Sequence, residues 1–429
     1  MKKYESYKDS GVGWIGKIPS HWSCVPFRRI AKVQCNLVRP SENLTMFQIS
    51  PDSIEKNSGK IIKTRTVEEA KVDSDNHRFY KGQILYSKIR PLLNKVTIAP
   101  YDGLCSADMY PISTIENTEY VMYYMLSEAF LSSVKNIVAD RVKMPKINQD
   151  ELKNTDFVIP PFSEQQVIVD YLKDKTLKIE QYVSARERER ELLDSLKQSE
   201  IANVVTKGLN SNVRMKDSGI PWIGMIPEHW EVKRLRHFIK FVSVKGHGEK
   251  PLLSVTREQG VIERNVESKE ENHNFIPDDL SGYKLVRKGQ FVINKMKSWQ
   301  GSYGVSDYEG IVSPAYYVCD LTFPCKKFFS MAIRSKAYIP FFTQYSKGIR
   351  VDQWDLSPIG LKSIPFIVPP IEEQQAIVDY IEAKLSKIDS CMADLQAEID
   401  YLKEFKQRLI SDVVTGQICV AKPQKGEQQ

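Results

Sequence analysis

The sequence predicts an α+β protein: two tandem α/β domains separated by two long helices, which pair as an antiparallel coiled coil in a pseudo-two-fold internal repeat. Three observations carry that expectation. Lys8-Asp9-Ser10-Gly11, Trp14-Ile15-Gly16, Ile18-Pro19 and His21-Trp22 return 208 positions later as Lys216-Asp217-Ser218-Gly219, Trp222-Ile223-Gly224, Ile226-Pro227 and His229-Trp230. Pro160-Pro161, Glu164-Gln165-Gln166 and Ile168-Val169-Asp170-Tyr171 return 209 positions later as Pro369-Pro370, Glu373-Gln374-Gln375 and Ile377-Val378-Asp379-Tyr380. Each second block opens a run free of Pro and Gly, enough for a helix of about 60 Å. Coincidence at eleven positions of the first block marks a tandem duplication.

In chain order, the first domain covers residues 1–158, the first helix 159–207, the second domain 208–366, the second helix 367–415 and a polar tail 416–429. Each domain begins with a Trp/Gly/Pro lead-in, 9–22 and 217–230, whose glycines and prolines forbid a long helix and whose tryptophans favour packing. Gln83-Ile84-Leu85-Tyr86-Ser87-Lys88 and Gln290-Phe291-Val292-Ile293-Asn294-Lys295 follow Lys-Gly turns and read as strands. Helical passages, Tyr120 to Ile137 and Lys326 to Tyr345, interleave with the strands. Ser163-Glu164-Gln165-Gln166 after two prolines is a capping-box pattern that starts the first long helix. In the second, Leu385, Ile388, Met392, Leu395, Ile399, Leu402 and Leu409 form a coiled-coil seam broken at Lys406. In the first, Ile179, Val183 and Leu193 keep the register and Arg186 and Arg190 interrupt it. The alternating charges of 186–191 fit a solvated face, or a collar that meets another subunit. Gly208 and Gly416 close the helices.

The bulk properties are those of a folded protein of 429 residues, 41% hydrophobic and 10% aromatic. A net charge of +7 leans toward polyanionic partners. No apolar segment follows the basic start, and no run is long enough to span a membrane. Seven cysteines without a C-x-x-C pair fit reduced thiols in the cytoplasm and argue against structural zinc.

Catalytic motifs are sparse. There is no phosphate-binding G-x-x-x-x-G-K-[ST] and no glycine loop placed for a dinucleotide. Asp52, Glu69 and Lys71 fit a permissive metal-nuclease pattern that recurs by accident in chains of this size. The stronger signal is cationic. The anchor strand of the first half runs into Lys88, Arg90, Asn94 and Lys95, and that of the second into Lys295, Lys297, Trp299 and Gln300. Cations and amides in a turn after a rigid strand can neutralise phosphates or read base edges. Lys63, Arg65, Arg78, Arg141 and Lys143 are further candidates in the first half, as are Arg257, Arg264, Arg350, Gln353 and Trp354 in the second.

The duplicated lead-ins, the duplicated Pro-Pro-x-x-Glu-Gln-Gln helix starts and the Lys-Gly-Gln anchors together resemble the DNA-specificity subunit of Type I restriction–modification enzymes, over essentially the whole chain. The resemblance implies a non-catalytic subunit that binds double-stranded DNA. Each domain would be a target-recognition domain reading one half of a split site. The paired helices would set the gap between half-sites and dock two methyltransferase subunits, and endonuclease/translocase subunits would complete the complex. S-adenosylmethionine, ATP and Mg2+ would then belong to partner subunits, with no cofactor in this chain. The rival readings are a stand-alone nuclease built on Asp52, Glu69 and Lys71, and a scaffold that does not touch DNA.

Overall fold

The chain divides between two units: Met1–Glu187 with Gln396–Gln429, and Arg188–Leu395. The computed structural model describes residues 2–141, 144–265, 277, 279–348 and 354–420.

The first unit opens with a hairpin in which Tyr7–Asp9 pairs antiparallel with Lys17–Pro19. A four-stranded sheet follows, in the order Val96–Ile98, Ile84–Ser87, Met109–Thr114, Ala31–Val33. A five-stranded sheet runs Leu37–Val38, Asn76–Phe79, Gly103–Ser106, Phe47–Ile49, Arg65–Thr66, its only parallel pairing lying between Gly103–Ser106 and Phe47–Ile49. Leu85, Phe79, Ile49 and Cys105 form a small core associated with these sheets. The helical passage from Tyr120 to Ile137 comprises two helices, Thr118–Met125 and Glu128–Val138. Ser127 divides them, its hydroxyl accepting from the Phe130 N–H at 3.4 Å as the cap of the second. In the second unit the corresponding passage is likewise two helices, Lys326–Arg334 and Ile339–Tyr345.

The second unit repeats the plan. Met215–Asp217 pairs with Met225–Pro227, and a four-stranded sheet runs Ile239–Val242, Tyr316–Leu321, Phe291–Asn294, Tyr303–Val305. Two further antiparallel pairs join Leu253–Thr256 to Gly260–Glu263 and Lys284–Val286 to Gly310–Val312.

The Lys-Gly-Gln tripeptides explain themselves locally. Gly82 and Gly289 take positive φ, +86° and +83°, to turn the chain into the anchor strand. The buried Gln83 amide accepts from the Tyr80 N–H at 2.8 Å and donates to Gln34 and Ser113. Gln290 accepts from the Arg287 N–H at 2.7 Å and donates to Asp320.

The two long helices span Phe162–Lys207 and Ile371–Val414. The first begins one residue before Ser163. The Pro161 carbonyl accepts from the Glu164 and Gln165 N–H groups, so Ser163 lies inside the first turn and is no cap. Glu164, in the first turn, accepts from the Trp22 indole at 3.0 Å, from Tyr4 at 2.6 Å, and pairs with His21 at 2.9 Å. Glu373 receives the Trp230 indole at 3.0 Å and His229 at 2.5 Å. The two repeated motifs of each half thus clasp one another, with Trp22 and Trp230 fully buried. Trp14 and Trp222 pack less completely, at 47% and 43% exposure, against Ser133 and Phe341.

The helix ends belong to the cores and not only to a spacer. Ile168, Val169, Leu172, Leu409, Ile410 and Val413 are buried in the main core of the first unit, and Val204, Val205, Ile377 and Val378 in that of the second. Within the first unit, Glu180 meets Lys406 at 2.6 Å, Arg186 meets Glu398 at 3.1 Å and Glu187 meets Lys403 at 2.9 Å, so the helices run in opposite directions. In the second, Lys197 meets Asp389 at 2.6 Å. The lapses in the apolar seam are therefore answered by charge: Arg186 and Lys406 each reach a carboxylate on the facing helix. Burial pushes the Glu180 carboxyl upward, but Lys406 and Lys60 together hold it below its ordinary value.

Candidate nucleic-acid interface

The turn after the anchor strand is a built platform in both units. Lys88 donates its N–H to Asp108, accepts from the Ile147 N–H at 2.9 Å, and holds its ammonium 5.5 Å from the Tyr110 ring centre. Lys295 likewise accepts from Leu356 at 3.0 Å, and its ammonium meets Asp355 at 3.1 Å. Each lysine is thus tied by its carbonyl to a later loop, which fixes the root of a long, half-buried cation.

Several first-unit candidates gather around this root. Arg90 is exposed, in a left-handed conformation (φ +44°), with its N–H on the Pro145 carbonyl. The Arg141 guanidinium reaches the Lys146 carbonyl and the Glu151 carboxylate, which it holds below its usual pKa. Lys143 lies outside the described residues. Lys63 and Arg65 converge on Asp52 at 3.5 and 3.1 Å. The Ser50 hydroxyl, ahead of the two cations, keeps that carboxyl low against the opposing effect of burial. Arg78 lies over Tyr80, 5.8 Å from its ring centre. Lys95 is half-buried and donates to the Pro51 carbonyl at 2.5 Å.

Asn94 departs from expectation. It is fully buried in a left-handed turn (φ +45°), its carbonyl accepting from the Asn57 N–H. Its side-chain amide is enclosed, without a hydrogen-bond partner among the described residues, and is not presented to a base edge in this structure.

In the second unit, Arg257 is exposed on the turn joining Leu253–Thr256 to Gly260–Glu263. The Arg334 guanidinium holds that turn, donating to the Arg257 and Glu258 carbonyls at 3.2 and 2.8 Å. Lys297 is exposed and Gln300 half-buried, while Trp299 lies against Trp354 with ring centres 5.1 Å apart. The Arg264 N–H is on the Leu252 carbonyl. Arg350 and Gln353 lie outside the described residues.

Sequence reasoning missed a second pair of titratable groups at matching positions. His77 and Lys284 each stand four residues before the Lys of the Lys-Gly turn. Burial first, then the neighbouring Lys88, lowers the pKa of His77, and burial, Lys245 and Lys295 lower that of Lys284. Equal spacing from the anchor was the signal that could have found them.

The nuclease triad is given over to other work. Asp52 serves Lys63 and Arg65, and Glu69 closes a capping box with Thr66. Lys71 is the left-handed cap of the same short helix. Among the described residues no cluster of three or more His, Cys, Asp or Glu is disposed to hold a metal ion, and no helix is long and apolar enough to cross a membrane.

Comparison with known proteins follows the same line. Residues 43–185 match the family model described as the type I restriction modification DNA specificity domain. The type I restriction enzyme EcoDI specificity subunit of Escherichia coli is 41% identical over 155 residues, 36% of this chain and 35% of that protein, so the match spans about a third of its length. The putative type I restriction enzyme MjaX specificity subunit of Methanocaldococcus jannaschii is 25% identical over 442 residues, covering 97% of this chain and 98% of that one. A solved structure from work on complex assembly and conformational transition of the type I R-M system superposes with a TM-score of 0.66 at 15% identity, over 94% of this chain and 99% of that one; at that identity it speaks for the fold alone. The duplicated motifs, the clasp they form in each unit and these matches point one way: residues 43–185 match the type I restriction modification DNA specificity domain, and the chain is similar along nearly its whole length to a type I restriction enzyme specificity subunit.

Proposed function

We propose that this chain is the DNA-reading subunit of a type I restriction–modification complex, each unit serving as a target-recognition domain for one half of a bipartite double-stranded site. The observation that carries the reading is that one clasp, Trp22 with Glu164 and Trp230 with Glu373, supports two domains whose remaining surfaces have diverged. A common frame with different cationic loops suits two half-sites of different sequence. Reading three or four base pairs gives only about 1–3 kcal/mol of discrimination per pair. Linking two such readers makes the second contact intramolecular and multiplies selectivity. The antiparallel helices would set the gap between half-sites and dock two methyltransferase subunits, with endonuclease/translocase subunits joining to complete the enzyme. S-adenosylmethionine, ATP and Mg2+ would be bound by those partners, and this chain would act by positioning them over the target.

The test is methylome sequencing of a host carrying the chain with its methyltransferase partner, against deletion of this gene alone. A split methylated motif that disappears on deletion is the expected result. Absence of any motif depending on the chain would favour the scaffold.

A further inference from the structure

The five-stranded sheet of the first unit has one apolar face and one that mixes polar residues with Leu104. Phe79, Cys105 and Ile49 supply the apolar face and are part of the small core. On the other face strand register aligns four residues in a row: Arg78 opposes Leu104, Leu104 opposes Gln48, and Gln48 opposes Arg65. Directly opposed residues on paired strands share a face. Asn76, two residues before Arg78, shares it too, 3.5 Å from the Gln48 amide nitrogen. Gln48 is 4% exposed, yet among the described residues its Oε1 has no hydrogen-bond partner, and neither do Nε of Arg65 or Nε of Arg78. Buried polar atoms left unpaired cost stability, and each calls for a partner, whether an ordered water or a bound group.

The second unit keeps the geometry of this row and changes its chemistry. Leu285 opposes Ile311, Ile311 bridges in parallel to Leu252, and Arg264 donates its N–H to the Leu252 carbonyl. The equivalent positions therefore read Leu285, Ile311, Leu252, Arg264. Gly103 and Gly310 allow the same close parallel approach in each, since a Cβ would lie 2.5 Å from the Phe47 carbonyl or 2.4 Å from that of Pro251. With the frame held constant, the difference lies at two positions: Arg78 against Leu285 and Gln48 against Leu252.

We infer that this row determines specificity in the first unit, with Arg78 and Arg65 contacting base edges of one half-site and Gln48 as the positioning residue between them. The inference rests on the DNA-reading function proposed above. Arginine forks pair with guanine edges in the major groove, and the guanidinium ends, unlike Gln48, are partly open. A leucine at either changed position would remove hydrogen-bond readout and leave apolar contact only.

The experiment uses the full chain with its methyltransferase partner in a host, read by methylome sequencing for wild type, Arg78→Gln and Gln48→Leu. The expected result is that one or two positions of a single half-site accept other bases, with methylation at those sites rising about tenfold or more, while the other half-site is unchanged. A purely structural role for Gln48 would lower methylation without altering base preference. Unaltered base preference in both variants overturns the inference. If Gln48→Leu abolishes methylation altogether, Arg78→Gln alone decides by the same criterion. Failure of the underlying function is separate, since wild type itself would then show no split motif.

Discussion

The two units agree in the clasp that joins lead-in to helix and differ along one row of a sheet. The clasp places an indole, a histidine and a glutamate at matching positions in each unit, with indole-to-carboxylate distances of 3.0 Å in both. The sheet row, by contrast, pairs Arg78 and Gln48 in one unit with Leu285 and Leu252 in the other. The lesson is that each unit separates a supporting layer from a variable layer, and the repeat is visible in sequence only through the first.

The sharpest way to break this comparison is to remove one buried indole. Trp22→Ala should cost its unit about 3–5 kcal/mol, and Trp230→Ala should cost the other a similar amount. Limited proteolysis with mass spectrometry is expected to place the new cleavages of each variant in its own unit; cleavage spread equally over both would show that the units do not keep separate stability. A smaller effect should distinguish the two helix ends. Gly416 and Gly208 share a left-handed φ, +75° and +76°, but a Cβ at 416 would lie 2.4 Å from Pro19 whereas one at 208 meets Trp230 at 3.1 Å. Gly416→Ala should therefore destabilise by about 1–3 kcal/mol and lower the melting temperature more than Gly208→Ala; the reverse order would refute the packing argument.

The smallest expected effect concerns pH. His77 has its folded pKa depressed below its ordinary 6.5, by burial and then by Lys88. The unfolded chain then binds the proton more readily, so stability is complete above about pH 6.5 and falls as pH drops from there toward the folded value. Lys284, at the corresponding position, is depressed from an ordinary 10.5 by burial and by Lys245 and Lys295. A melting series between pH 5 and 7.5 should show a decline on acidification that His77→Gln removes; a decline unchanged in that variant assigns it to other groups.

Much of the supporting layer was legible because its signals are local. Positive-φ glycines, a buried glutamine following each, and proline pairs before long uninterrupted runs can be read along the chain. The capping box was misread because Ser163 and Gln166 satisfy the S-x-x-Q pattern, while the helix starts at Phe162 and the Gln166 amide answers to Asn117 and Asp170. Asn94 reads as a surface turn residue in the sequence, while the structure encloses it beside a loop distant in the chain, whose Asn57 N–H bonds its backbone carbonyl. The row joining Arg78, Gln48 and Arg65 was illegible because it assembles from three separated strands, one pairing being parallel, and no periodicity within a single strand records which neighbours it will have. Arg186 and Lys406 looked like faults in an apolar seam until each was matched with its carboxylate across the helix pair.

The core of the first unit has a consequence for the order of events during synthesis. The second unit is one continuous stretch, Arg188–Leu395, whereas the first draws on Gln396–Gln429 as well. Tyr120, buried in the first unit, donates its hydroxyl to the Val414 carbonyl at 3.0 Å, and Leu409, Ile410 and Val413 complete the surrounding core. A ribosome that has made the first unit's leading segment must therefore translate the whole second unit before supplying the helix that seals the first. At about 5–20 residues per second, the unit begun first waits on the order of ten seconds or more with that core open, and the unit begun second is the first able to close.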